Sequence, residues 1–351
     1  MRKAIQSQVL LGPQAADAGP DPGIDVGFGQ AHMIIIYSII LESRPRWTVS
    51  DGYPTLLNLT LRARTPMFRS CRTPAADPAR TPMRDVAVLM ACLLLGGGAQ
   101  AAALVPVTDE IPVVTVPGAR PSPRPLPVRL VLPPGPGPHP VVILLHGCSG
   151  VGTNQAFWTK RLVSWGYGAL VLDSLTPRGI RSVCAHADQP LVTRQDRAGD
   201  VIAAVRWLQT ARGVDGARIG VLGNSHGGAT AATVANRHFQ AEANGLIKAV
   251  VDYYGACREP AGHGTIPLLA LAGEDDSWSR PAAACRRFAQ EVGSAEDITV
   301  RTYPGVVHGF DNPRLAERRW SEGHPMQYAP EAAEASFADV HAFLNRTIGR
   351  R

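Results

Sequence analysis

The stretch Ile219-Gly220-Val221-Leu222-Gly223-Asn224-Ser225-His226-Gly227-Gly228 limits what this chain can fold into more than any other. A short apolar run ends in Gly-Asn-Ser-His-Gly, and a segment of small residues (229–235) follows. Read in order, that is strand, sharp turn, helix. The turn has the form G-x-S-x-G, in which serine sits at a strained point so that its hydroxyl projects at the top of a sheet. Glycines two residues before and after it leave room where the two backbones crowd. The helix that begins there turns its N–H groups and positive dipole end toward the same place. A glycine-rich turn that merely contains serine has the same five letters, so the weight comes from the flanking strand and helix.

The rest of the chain repeats this alternation. The continuous apolar run at 141–145 reads as a strand buried on both faces and 169–172 as the next buried strand, with further strands at 128–132, 219–222, 249–254, 268–272 and 298–303. Helices are predicted over 154–165, 194–210, 280–292 and 331–348. The second is expected to be amphipathic, with Val201, Val205 and Leu208 on one face. Strands alternating with helices imply an α/β fold with a mostly parallel central sheet and helices on both faces. No long insertion suggests a large lid, so an open site is expected.

Residues 1–82 carry scattered Pro, Gly and Arg and no sustained period. Nine Lys/Arg against six Asp/Glu there supply +3 of the chain's formal charge of +6, so the remainder is only mildly basic. No run of basic residues with interleaved aromatics points to nucleic acid. At Met83 a different pattern begins: Arg84, an apolar run over 86–95, then small residues with A-x-A sites at Ala99-Gln100-Ala101 and Ala101-Ala102-Ala103. This is the layout of a secretory signal peptide. The expected organisation is an extension over 1–82 that is disordered or not translated, a signal peptide over 83–103 and a single domain over 104–351. Export and no membrane anchor after cleavage follow. Four cysteines remain in that domain, Cys148, Cys184, Cys257 and Cys285, an even number that suits an exported chain with two disulfides. Cys148 and Cys184 follow adjacent strand ends and Cys257 and Cys285 flank the next strand, which favours those two pairs. Buried free thiols are the plainer alternative. Cys184-Ala185-His186 stands alone, so no metal site is expected, and no nucleotide fingerprint implies a cofactor.

In an open α/β sheet, sites form beyond the carboxyl ends of the strands. What lies there is specific. Ser225 follows 219–222, Glu274-Asp275-Asp276 follows 268–272, and His308 follows 298–303. The order Ser…Asp…His is that of an α/β-hydrolase triad. Ser225 would be the nucleophile, His308 the base that takes its proton, and Asp276 the carboxylate that orients the imidazole. Asp275 is the runner-up, and Asp252, within a strand, a weaker third. The backbone N–H groups of Cys148 and His226 would form the oxyanion hole. His146 is expected to support that loop, and the His226 side chain is too close in sequence to reach back to Ser225 as a base. Arg178, in the loop after Asp173, is a possible ligand for a substrate carboxylate, with an ordinary surface arginine as the alternative.

Assembled, these pieces resemble the dienelactone hydrolase family of α/β-hydrolases. The resemblance rests on Leu144-Leu145-His146-Gly147-Cys148-Ser149-Gly150, Asp173-Ser174 with Pro177-Arg178-Gly179, and Gly223-Asn224-Ser225-His226-Gly227-Gly228. Leu271-Ala272-Gly273-Glu274-Asp275-Asp276-Ser277-Trp278 and Val307-His308-Gly309-Phe310-Asp311 complete it. It spans about residues 128–344 and implies the triad Ser225, Asp276 and His308. The family's name-giving members have cysteine at the elbow where this chain has Ser225, which shifts the expectation from dienelactone to esters or lactones more generally. The expected partner is therefore a small-molecule ester or lactone, with neither nucleic acid nor membrane. A serine peptidase or acyltransferase on the same fold, and a non-catalytic binding protein, are the competing readings. The first would resemble this domain with a large gating domain in front, and the last would have a broken triad.

Overall fold

All seven residues of His139–Leu145 are buried, as a strand covered on both faces must be. The computed structural model describes residues 106–349 apart from 186–190, 259–261, 265 and 294–297. The extension over 1–82 and the signal peptide over 83–103 lie outside the described residues. The strands are β1 (Val107–Ile111), β2 (Leu126–Val131), β3 (His139–Leu145), β4 (Gly168–Leu172), β5 (Val214–Asn224), β6 (Ile247–Tyr253), β7 (Leu268–Gly273) and β8 (Ile298–Tyr303). They form one sheet in the order β1-β2-β4-β3-β5-β6-β7-β8. β1 and β2 are antiparallel to their neighbours, and β4 through β8 run parallel. A short hairpin, β9 (Arg319–Ser321) with β10 (His324–Met326), stands apart from the sheet.

Period-2 alternation sorts the strand side chains into two cores. Val141, Ile143 and Leu145 of β3 join one, and Val142 and Leu144 the other. The first core is closed by α2 (Arg194–Leu208), α3 (His226–Val234), α4 (Arg237–Glu242) and Cys285 and Phe288 of α5 (Pro281–Val292). The second is closed by Trp158 and Leu162 of α1 (Thr153–Ser164) and Phe337, Phe343 and Leu344 of α6 (Pro330–Ile348). The α/β architecture is the one the alternation predicts.

Three elements differ from expectation. β1 is an exposed edge strand whose Val-Thr-Asp-Glu-Ile sequence carries almost no apolar signal. The β9–β10 hairpin occupies a stretch with no readable period. α2 is not amphipathic in the simple sense, because Asp196, Arg197 and Asp200 are buried along with its apolar face. The segment before β2 lies over it. Arg120 pairs with Asp196 at 2.6 Å, and a Cβ on Gly199 would stand 3.0 Å from the Cβ of Ala119. Thr193 caps the helix by accepting from the Asp196 N–H, and Asp196 accepts from the Thr193 N–H in return.

Candidate active site

Because β3, β5, β6, β7 and β8 are neighbours in one parallel array, the loops at their carboxyl ends converge. Ser225 sits between β5 and α3 with φ 57° and ψ −120°, a conformation that costs a non-glycine residue free energy. The surroundings impose it: the Ser225 N–H donates to the Tyr253 carbonyl at 2.8 Å, and the Ala229 N–H donates to the Ser225 carbonyl at 2.9 Å. Glycine is obligatory on both sides. A Cβ on Gly223 would lie 2.0 Å from the Gly227 carbonyl oxygen, and one on Gly227 would lie 2.3 Å from that of Leu145.

His308, beyond β8, lies with Nε2 2.9 Å from Ser225 Oγ and Nδ1 2.7 Å from Asp276 Oδ2. Asp276, beyond β7, keeps its other oxygen for the Trp278 N–H at 2.8 Å. Both side chains are 3% exposed as residues. A carboxylate beside Nδ1 draws the imidazole proton to that nitrogen and leaves the Nε2 lone pair facing the Ser225 hydroxyl. The ring is wedged between Tyr254 and Trp278, at 4.6 and 5.0 Å between centroids. Asp275 is exposed. Asp252 accepts from the Gly255 N–H within its own turn at 2.7 Å.

Cys148 follows β3 beside the elbow, tied to Cys184 by a disulfide and by a bond from the Val183 N–H to its carbonyl at 2.8 Å. Among the described residues, neither the Cys148 nor the His226 N–H donates to a protein acceptor. His146 lies behind this loop, fully buried. Its Nδ1 faces the Gly147 carbonyl at 2.7 Å, and its Nε2 accepts from the Ser174 N–H at 3.2 Å. Burial, and then the nearby Arg197 charge, push its pKa well below the ordinary histidine value.

Arg178 is not available to a substrate, which corrects the expectation from its loop position. Its guanidinium is 8% exposed and forms a two-pronged pair with Asp200 of α2 at 2.7 and 3.0 Å, with a further bond to the Ser174 carbonyl. A buried Asp200 needs that cation, and only the tertiary packing of α2 brings the two together. Two residues that sequence reading passed over do reach the site. Arg197 of α2, with no exposed surface, contacts His226 Nδ1 at 2.7 Å and donates to the His146 carbonyl at 2.7 Å. Asp311, three residues after His308, accepts from Trp158 Nε1 at 2.7 Å, from Asn224 Nδ2 at 2.9 Å and from the Tyr254 hydroxyl. It therefore ties the histidine loop to the residue before Ser225, while burial pushes its own carboxyl up. The only sequence signal for Asp311 was its place in the His-Gly-Phe-Asp segment.

Two cavities meet at Ser225, sharing Cys148, Cys184, Tyr254, Trp278 and His308 as walls. One has a volume of about 240 Å³ and runs past Asn154, Leu315 and Met326. The other, about 380 Å³, runs past Thr193, His226 and Arg258. The β9–β10 hairpin walls the first with Ser321 and Met326 and is fastened to the acid loop, where Ser277 Oγ and His324 Nδ1 are 2.9 Å apart and Trp278 stacks on His324. The site is thus less open than the absence of a long insertion suggested. Among the described residues, the one cluster of metal-type donors is Asp252, Cys257 and Cys285. Its two sulfurs are joined in the second disulfide, so neither is a thiolate. Two disulfides are characteristic of an oxidising environment. No helix among the described residues is long and apolar enough to cross a membrane.

Solved structures share the fold at low sequence identity, three of them as follows. A candidate dienelactone hydrolase from Klebsiella pneumoniae subsp. pneumoniae has 19% identity, a TM-score of 0.55, and coverage of 70% of this chain and 99% of that one. A dienelactone hydrolase-like promiscuous phosphotriesterase from metagenomic libraries has 18% identity, a TM-score of 0.52, and coverage of 71% and 100%. An esterase from Pyrobaculum calidifontis has 18% identity, a TM-score of 0.50, and coverage of 77% and 94%. No curated protein sequence matches this chain. The family model described as the dienelactone hydrolase family matches residues 126–348, from β2 to the end of α6. The chain belongs to the dienelactone hydrolase family, a hydrolase family of α/β architecture.

Proposed function

We propose that this protein is an exported serine hydrolase that cleaves carboxylic esters or lactones through an acyl-enzyme. The observation that carries the reading is the continuous hydrogen-bonded chain from Ser225 Oγ through His308 to Asp276, at 2.9 and 2.7 Å, at the mouth of two cavities. Ser225 Oγ attacks the acyl carbon as His308 Nε2 takes its proton, and Asp276 stabilises the imidazolium that forms. The oxyanion is held by the Cys148 and His226 N–H groups, with the N-terminal end of α3 adding its dipole. His308 then protonates the departing alcohol, the bond to it breaks, and water repeats the sequence to release the acid. The esterase and dienelactone hydrolase relatives support hydrolysis as the class of reaction.

Export rests on the signal-peptide pattern of residues 83–103 together with the two disulfides, Cys148–Cys184 and Cys257–Cys285. The test is hydrolysis of a p-nitrophenyl ester series from acetate to octanoate by protein expressed from Met83 into an oxidising compartment. The chain-length profile reads out which acyl groups the two cavities admit, and Ser225→Ala should lower kcat by roughly 10⁴-fold or more. Undiminished turnover in Ser225→Ala, measured on protein whose circular dichroism matches wild type, overturns the mechanism.

A further inference from the structure

His226 has a side chain as well as the N–H assigned above, and its surroundings decide what that side chain can do. Arg197 approaches its Nδ1 to 2.7 Å while the same guanidinium donates to the His146 carbonyl at 2.7 Å. A guanidinium has five N–H donors and no acceptor. His226 Nδ1 must therefore present its lone pair, and the proton of the neutral ring is on Nε2. A doubly protonated ring would set an N–H against an N–H beside a buried cation. Burial first, then Arg197, His146 and Arg194, accordingly push the His226 pKa down to about 3. The ring stays neutral, in one tautomer, across the working range of an esterase.

The remaining nitrogen is left for a ligand. Among the described residues no protein group accepts from His226 Nε2–H, and that atom is not among the enclosed polar atoms without a partner. His226 lines the larger cavity, beside Ser225 and Ala229. A fixed neutral N–H at a cavity wall complements an oxygen lone pair: a carbonyl, ether, hydroxyl or carboxylate. It offers nothing to an ammonium group, and a purely apolar group there would leave it unsatisfied. We propose that the His226 imidazole is a substrate-binding donor, held as its Nε2–H tautomer by Arg197, and that it selects esters carrying an oxygen acceptor on the part that occupies the larger cavity. Arg197 is the positioning residue behind it, and its bond to the His146 carbonyl keeps the neighbouring oxyanion loop in step with the ring. The inference rests on the serine-esterase reading for the identity of the ligand, but not for the state of the ring.

Two measurements test it. The first is long-range ¹⁵N–¹H NMR on the whole protein with labelled histidine, the His226 signals being assigned by their loss in His226→Gln. The expected pattern is that of the Nε2–H tautomer, unchanged between about pH 5 and 9. An Nδ1–H pattern, or titration in that range, overturns the proposal. The second compares matched substrates in which oxygen replaces one methylene: p-nitrophenyl methoxyacetate against butanoate, and 2-methoxyethyl acetate against butyl acetate. In one of the two series, the kcat/KM ratio of oxygen to methylene substrate should fall about five- to tenfold in His226→Phe, the worth of one neutral hydrogen bond. His226→Gln, which can accept from Arg197 and still donate, should restore the ratio. An unchanged ratio in both series overturns the proposal. Should His226→Phe not fold, binding is read in Ser225→Ala instead. There the methoxy ester should shift the His226 Nε2–H resonance more than its methylene counterpart does, and equal shifts overturn the proposal. Retained turnover in Ser225→Ala would sink the serine mechanism while leaving the tautomer measurement intact.

Discussion

Asp275 and Asp276 are adjacent and chemically identical, yet only one faces the imidazole. Asp276 is buried against His308 Nδ1 and braced by the Trp278 N–H, while Asp275 is exposed. Asp276→Asn should lower kcat by about 10⁴-fold, because an amide there favours the wrong imidazole tautomer. Asp275→Asn should change it less than about twofold. Steady-state kinetics on a p-nitrophenyl ester check both, and equal losses would mean that the acid is misassigned. At this scale the sequence is legible where chemistry sits just past a strand: Ser225, Asp276 and Cys148 follow apolar runs, and His308 follows the β-branched stretch 298–303. It is silent where a charged side chain turns inward. Arg178 and Arg197 have nothing local to mark them, since their partners Asp200, His226 and the His146 carbonyl come from elsewhere in the fold. Reading Arg178 as a substrate ligand failed for that reason.

The strand-turn-helix unit around Ser225 is a steric requirement as much as a motif. A Cβ at Gly223 would meet the backbone carbon and oxygen of Gly227 at 2.2 and 2.0 Å, atoms fixed by the start of α3. Gly223→Ala should therefore destabilise the protein by more than about 3 kcal/mol, in the range of severe overpacking. Chemical denaturation measures this directly, and a loss under about 1 kcal/mol would show that the elbow can relax. The inner strands are legible from their apolar runs at 141–145, 169–172 and 268–272, whereas β5 begins at Val214, five residues before the run that marks it, because its first half carries Asp215, Gly216 and Arg218. β1 and the β9–β10 hairpin escaped because short, exposed strands owe their form to a neighbour and not to a pattern. α2 was readable as a helix but not as a buried one, because the segment that covers it is remote in sequence.

Over the whole molecule, one buried acid gives stability a pH dependence of definite sign. Asp252 is 1% exposed, and burial pushes its pKa up to about 7 despite the Gly255 N–H. Its Oδ2 lies 3.5 Å from Cys257 Sγ, which is disulfide-bonded and has no proton to offer. In the unfolded chain the carboxyl ionises near its ordinary value of about 3.9. Between that value and about 7 the folded state keeps a proton that the unfolded chain has released. The contribution of this group is therefore fully present below about pH 4 and is lost as pH rises through 7. Asp252→Asn should raise Tm at pH 8, by the equivalent of a few kcal/mol at most, and change little at pH 4. Equal shifts at the two pH values would show that the carboxyl is ionised in the fold throughout. The nucleophile is tested most directly by weighing the intact protein. Acid-quenched wild type taken during turnover of p-nitrophenyl butanoate should carry one added butanoyl group, and peptide mapping should locate it on Ser225. His308→Ala and Ser225→Ala should stay at the unmodified mass. A butanoyl group on any other residue, or one that persists in Ser225→Ala, would contradict an acyl-enzyme at Ser225.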